Sequence, residues 1–286
     1  MYINLANKGS SNIYLGRCSP LVNIHLTKKL SGTSSGCSGY HMYACDSDGQ
    51  PLVEVFSVRV HGGEALTGTV SVFDGKRGQI IYNNTPEHPH KPAASSRHRS
   101  SGKLPLTGPY RAISADGCVA IVLDLQGRCQ NKAAPSPSSS SSSYVSEILV
   151  DVYDENTRYD EAITHDDGFV QVRYALLSDA VEAIVEVKLL RPRASGTVRG
   201  TVVARTVLGE VVLFDVGETT TSIGTLPLAR SVVAVQLTSL LTIEVDLRLD
   251  GDETVSGSVA CQPKPGTKEV RGLAGGEVEV TVTWLD

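Results

Sequence analysis

No stretch of this 286-residue chain stays apolar over the roughly 20 residues that crossing a bilayer requires. A basic excess is missing too: 26 Lys and Arg stand against 31 Asp and Glu, a formal charge of −5. Nucleic-acid and anionic-membrane binders carry a positive footprint, so neither class is expected. Met1 to Ser10 has no apolar core behind a basic start, and Leu15 to Leu26 is broken by Arg17, Pro20, Asn23 and His25. A secretory signal is therefore not expected, and the cytoplasm is the expected compartment. The six cysteines, Cys18, Cys37, Cys45, Cys118, Cys129 and Cys261, include no C-x-x-C pair. That disfavours zinc and thioredoxin-like sites and points to free thiols, with Cys118 and Cys261 reading as small core residues. Also lacking are a Walker loop, a Gly-x-Gly-x-x-Gly opening a helix, and a strand-to-helix turn that would carry a Gly-x-Ser-x-Gly nucleophile.

What is present is strand after strand. Val181, Ala183, Val185, Val187 and Leu189 alternate with Glu182, Glu186 and Lys188, the period-two pattern of a strand with one wet face. Phe169, Val170, Val172 and Tyr174 precede it, and Leu177-Ser178-Asp179-Ala180 between the two runs predicts the turn of a β-hairpin over Gly168 to Leu190. Val53 and Val55 are followed by Phe56, Val58 and Val60, a slip of phase that predicts a bulge. Similar alternation recurs at Leu66 to Val72, Gln79 to Tyr82, Val119 to Leu125, Ile148 to Val152, Val198 to Ala204, Val211 to Phe214, Val233 to Leu237, Ile243 to Leu249, Val255 to Cys261 and Val278 to Trp284. Nothing comparable has helical spacing. The expected fold is all-β, an antiparallel β-sandwich with a barrel-like arrangement as the alternative and little helix.

The expected organisation is a flexible leader over 1–50 and a single β-sandwich domain over 51–286, with disordered loops near 83–103 and 128–143. Ser31 to Gly36 is a plain Ser/Gly tract, and Ser138 to Ser143 is an unbroken serine run after Pro135 and Pro137.

At this point the residues carry a resemblance. Val55-Phe56-Ser57-Val58-Arg59-Val60, Leu66-Thr67-Gly68-Thr69-Val70, Leu106-Thr107-Gly108-Pro109-Tyr110-Arg111-Ala112-Ile113, Ser178-Asp179-Ala180-Val181-Glu182-Ala183 and Leu226 to Val235, closed by the strand ending at Trp284, resemble a plant domain-of-unknown-function family, 6598, abundant in grasses. The likeness runs from about Leu52 to Trp284. It implies an all-β domain without an established activity, found in some members C-terminal to a ribosome-inactivating domain, an rRNA N-glycosidase. Such enzymes carry a helical Glu-Ala-x-Arg whose carboxylate stabilises the oxocarbenium-like transition state while the arginine supports the departing adenine. Three Glu-Ala pairs occur here, but Glu64, Glu161 and Glu182 are followed at the arginine position by Thr67, Thr164 and Val185. No catalytic residue is assigned, no cofactor is expected, and the chain is read as a non-enzyme.

Other constellations are weaker. Asp154, Asp160, Asp166 and Asp167 sit in what reads as one acidic loop, Asp154 to Asp167, and are the candidate calcium ligands of a C2-like sandwich. Asp46-Ser47-Asp48-Gly49 opens like a calcium loop but has Ser57 where a bidentate glutamate belongs, so a turn is expected. His88, His90 and His98 read as solvated side chains of a proline-rich loop, and the sequon Asn83-Asn84-Thr85 reads as silent. The expected function is a non-catalytic interaction or accessory module that meets an unknown protein partner. A calcium- or ligand-binding sandwich, and an accessory domain of ribosome inactivation, are the alternatives.

Overall fold

The computed structural model describes residues 49–61, 64–85, 102–128, 141–150, 156–165, 168–190, 196–221, 224–249, 253–273 and 277–285, all within one compact unit, Asp48–Asp286. The Ser/Gly tract, Asp46 to Asp48 and the middles of both expected loops, 86–101 and 129–140, lie outside the described residues.

The described residues form fifteen strands and no helix, hence no helix long and apolar enough to cross a membrane. Three sheets result, antiparallel throughout, and none closes into a barrel. One four-stranded sheet is built from β2 (Glu64–Phe73), β3 (Gly78–Asn84), β5 (Val119–Arg128) and β6 (Ser141–Val150), in the order β3-β2-β5-β6. A second contains β9 (Gly196–Arg205), β10 (Glu210–Thr221), β12 (Leu241–Leu249) and β13 (Glu253–Cys261), in the order β10-β9-β12-β13. The seven-stranded sheet has β8 (Gly168–Leu189) as its spine. Along one edge of β8 lie β1 (Gln50–His61) and then β11 (Val232–Gln236). Along its other edge lie β7 (Thr157–His165) and then β15 (Val278–Leu285). Outside these, β4 (Ile113–Ser114) pairs with β1 and β14 (Lys268–Leu273) with β15. The antiparallel sandwich read from the alternation is present, and the bulge expected in β1 falls between Val55 and Ser57.

Two expectations about the strands are corrected. The hairpin over Gly168 to Leu190 does not form, because those residues make one strand of 22. Leu177 pairs with Leu52, and Ala180 pairs with both Gln50 and Gln236, so the supposed turn stays in the ladder and its extra residue is absorbed as an irregularity. Alternation stops at Tyr174 to Leu177 because all four are buried, on both faces of the strand. Tyr174 and Leu176 belong to one hydrophobic core with Val170 and Val172, while Ala175 and Leu177 belong to the other with Val181 to Val187. The second correction concerns the acidic loop: Thr157 to His165 within it form β7, paired along its whole length with β8.

The two cores expose an internal duplication. Strands β1 to β7 with the first half of β8 build the first core, and the second half of β8 with β9 to β15 repeats the same plan. Each pairing among the first set, β1 with β4 and β8, β2 with β3 and β5, β5 with β6, and β7 with β8, recurs as β8 with β11 and β15, β9 with β10 and β12, β12 with β13, and β14 with β15. Details repeat as well. The extra residue in the β2–β3 ladder is Ile81 and in the β9–β10 ladder Leu213, and the carbonyl of each accepts an amide, from Thr107 and Ala229 respectively, at 2.8 Å. Those amides directly follow matching segments, Gly102-Lys103-Leu104-Pro105-Leu106 and Gly224-Thr225-Leu226-Pro227-Leu228. β8 is thus the last strand of the first repeat and the first of the second.

Candidate functional site

Two buried polar clusters are the first features to weigh. Arg230 and Glu54 are each 2% exposed and paired. Arg230 also donates to the carbonyls of Val55 (2.8 Å) and Val232 (2.9 Å), and Glu54 accepts the amide of Ala234 (2.7 Å). Burial pushes the Glu54 carboxyl up, and Arg230 and the amide only partly offset it. Glu182, at the Glu54 position of the second repeat, accepts the amide of Ala112 (2.5 Å). Each glutamate thereby satisfies an amide at the fourth strand of the other repeat, which fastens the two halves together. The second cluster is Asp74, which accepts from Arg111 (2.5 and 3.0 Å), Ser114 N (3.1 Å), and Lys76 N and Arg77 N (3.2 Å each). Burial raises its pKa, but these donors and the guanidinium charge outweigh that and hold the carboxyl below the usual range. In both clusters the charged oxygens are committed to neighbours, so both are fastenings. Burial pushes the Cys261 thiol up to about 11, with Glu269 adding to it, which is the reverse of an activated nucleophile. A shallow hollow bordered by Phe56, Leu177, Leu208 and Ala234 has no enclosed room even for a water-sized molecule, so it is no ligand pocket.

The outer faces of the two four-stranded sheets differ, and the duplication lets them be compared position by position. On the second sheet, Glu210, Arg205 and Thr242 lie in one cross-strand row and Val203 and Glu244 in the next. Arg205 there bridges Glu210 (2.5 Å) and Glu244 (2.8 Å), the expected dress of a solvated face. On the first sheet the same rows read Gly78, Phe73, Ala120, Leu149 and Ile80, Ser71, Val122, Glu147. Phe73 replaces the arginine and Val122 the glutamate. The Phe73 ring lies over Gly78, where an added Cβ would come within 2.6 Å of it. Ile80, Val145 and Leu149 are 44%, 46% and 56% exposed, while Ala120 between Phe73 and Leu149 is only 7% exposed although it points outward. Ile80, Phe73, Ala120, Val122 and Leu149 make an apolar patch of the kind that marks an interaction surface, and Val145 lies at its margin beside the exposed Asp124. Glu147 stands beside Val122 within the patch, and burial raises its carboxyl above the ordinary range. Among the described residues Glu147 has no ion pair.

The calcium candidates are not gathered by the described residues. Asp160 points from β7 to Arg173, at 2.7 and 2.8 Å, and Asp154, Asp166 and Asp167 lie outside the described residues. Among the described residues no three His, Cys, Asp or Glu are placed to hold a metal ion. All three glutamates of the Glu-Ala pairs fall on strands, Glu64 in β2, Glu161 in β7 and Glu182 in β8; Glu161 accepts from the Tyr174 hydroxyl. His88, His90 and His98 lie outside the described residues, and Asn83 and Asn84 end β3. Cys261 is buried as expected, but Cys118 is exposed, a correction: it sits one residue before β5, where the ladder has not yet covered it. Sequence reading passed over the apolar face, although Tyr144-Val145 and Ile148-Leu149-Val150 carry apolar residues on both sides of one strand.

A family model described as "Domain of unknown function (DUF6598)" matches residues 52–283. No curated protein matches the chain. Among solved structures, human GIVD cytosolic phospholipase A2 is similar at 10% identity and a TM-score of 0.25, over 82% of this chain and 30% of that one. The same enzyme in complex with methyl gamma-linolenyl fluorophosphonate gives 10% and 0.24, over 82% and 32%. The chain thus spans about a third of the length of those chains.

Proposed function

The chain belongs to the DUF6598 family, and on that premise we propose that it is a non-catalytic binding module that docks a protein partner. The observation that carries this reading is the outer face of the β3-β2-β5-β6 sheet. At matching positions one repeat keeps an Arg–Glu network and the other an exposed apolar patch, so the apolar version is not imposed by the fold. Ile80, Val145 and Leu149 are about half exposed, so each forgoes about half of the roughly 1.5–3 kcal/mol that full burial is worth, and a partner that covers them recovers it. Under the same proposal the module is a plant accessory domain without its own active site, and the ribosome-inactivating proteins beside which similar domains occur are the first partners to try.

The test transplants the polar face. Phe73→Arg with Val122→Glu rebuilds on the first sheet the pair that Arg205 and Glu244 make on the second. The double variant is expected to unfold within a few degrees of the parent chain. Proteins retained by the parent chain are identified by mass spectrometry, expressed alone and titrated by calorimetry. A partner that binds the parent and loses at least about tenfold in affinity for the variant, roughly 1.4 kcal/mol, supports the reading. Equal affinity for both forms removes it.

A further inference from the structure

We propose that β6 is a docking edge, to which a partner adds an extended strand whose outward side chains read apolar, Lys or Arg, apolar. This rests on the binding-module reading and names its mode and its partner's chemistry. Every antiparallel sheet ends in strands whose outward N–H and C=O groups are unpaired, and proteins blunt such edges with charge, bulges or cover. Among the described residues β4 is only two residues long, β11 is buried, and the other edges apart from β6 are blunted or covered. β7 places Arg158 and Asp160 outward, and β14 carries Lys268, Glu269 and Arg271. β3 and β10 are interrupted at Ile81 and Leu213. β13, the counterpart of β6, presents Thr254, Ser256 and Ser258 outward, and at its Gly257 an added Cβ would meet the Leu273 side chain of β14 at 3.1 Å.

β6 has no bulge, and its one charge is Glu147. Its ladder with β5 runs unbroken from Val119↔Val150 to Arg128↔Ser141, ten pairs without a shift. It contains no proline, lysine or arginine. Among the described residues it pairs with β5 alone. Inward, Tyr144, Ile148 and Val150 are buried, so the strand is held straight by the core. Outward, Val145 and Leu149 are exposed with Glu147 midway between them.

A strand added along β6 would run about 4.8 Å away, with its side chains beside those of β6. Partners for Val145 and Leu149 must be apolar to gain from the contact. The residue beside Glu147 must be a cation, because this carboxylate is partly desolvated by the patch and has no counter-charge there. The pattern apolar, x, basic, x, apolar reads the same in both directions, so it suits a parallel or an antiparallel addition. Backbone hydrogen bonds would supply affinity and the three side chains the selectivity, as in other strand-addition complexes.

The probe is a fluorescein-labelled, end-capped peptide Ser-Thr-Val-Thr-Lys-Thr-Leu-Thr-Ser, titrated with the full 286-residue chain and read by anisotropy. Saturable binding is expected, abolished when the amides along one edge of the peptide, either set of alternate residues, are N-methylated. Glu147→Lys is expected to weaken the peptide by roughly five- to tenfold and to restore binding of the version with Glu in place of Lys, the reversal of a cross-strand charge pair. An absence of saturable binding, indifference to N-methylation at both edges, or an equal response of both peptides to Glu147→Lys overturns the proposal. The N-methylated peptides need no protein variant, so a folding defect cannot mask the result. If Phe73→Arg with Val122→Glu disrupts a partner while the peptides fail, the strand-addition mode falls and the binding-module reading stands.

Discussion

At the scale of single residues, the side chains that look reactive are the ones that hold the chain together. Asp74 shows the sign of the effect. Its folded pKa is depressed, so the unfolded chain binds the extra proton and stability rises with pH across that window. Its contribution is complete above the ordinary carboxylate value of 3.8 and fades as the pH falls through the lower, folded value. Asp74→Asn is therefore expected to be less stable than the parent at pH 7, with the gap between their thermal midpoints closing towards pH 3. A gap that stays constant over that range would assign the loss to something other than the carboxylate. The sequence reveals Asp74 only as a turn residue before Gly75. Its five donors arrive from Lys76, Arg77, Arg111 and Ser114, three of them from more than 35 positions away, and no local pattern announces them.

At the scale of elements, alternation identified strands wherever one face was wet and failed at the two extremes of burial. In the middle of β8, residues Tyr174 to Leu177 are buried on both sides, so the period-two signal vanishes and a polar pair after it mimics a turn. In β7 the opposite holds. Every residue from Thr157 to His165 is exposed or half-buried, and the outward charges that protect this edge make it read as a loop. Two glycines show what an element demands that periodicity cannot express. Gly68 in β2 and Gly200 in β9 have φ of +122° and +130°, and an added Cβ would lie 2.0 Å from the Asp124 carbonyl oxygen and 2.1 Å from that of Asp246. Gly68→Ala and Gly200→Ala are each expected to cost about 2 kcal/mol or more, measured by urea unfolding, because backbone strain and a collision with the neighbouring strand add. Gly75→Ala keeps the strain of a positive φ but meets no atom within 4 Å, and should cost less than either.

At the scale of the molecule, two cores share one strand, and that predicts how the unit unfolds. Trp284 is the sole tryptophan, fully buried in the second core, and Leu123 is fully buried in the first. Leu123→Ala removes about 3 kcal/mol of packing, which for a unit of this size lowers the midpoint by roughly 6–12 °C. If β8 and the crossed Glu54 and Glu182 contacts couple the halves, Trp284 fluorescence reports that same shift. A tryptophan transition that stays at the parent temperature would mean that the two cores melt separately.

The primary structure by itself determined the all-β class, most strand positions, the bulge in β1 and the absence of a Glu-Ala-x-Arg centre, because each depends on residues a few positions apart. The duplication was also written there, in Gly102-x-Leu-Pro-Leu and Gly224-x-Leu-Pro-Leu and in the Gly-Thr-Val runs at Gly68 and Gly200. Short matches separated by more than 120 residues acquire meaning only when the same ladder pairs appear beneath them. Tertiary structure alone decided that β8 passes straight from one core to the other. It also decided that Phe73, Val122 and Leu149 meet on one face opposite an Arg–Glu counterpart, and that β6 is left at an edge. Those are facts of which strand lies beside which, and strand neighbours are chosen by long-range burial, to which local spacing is blind.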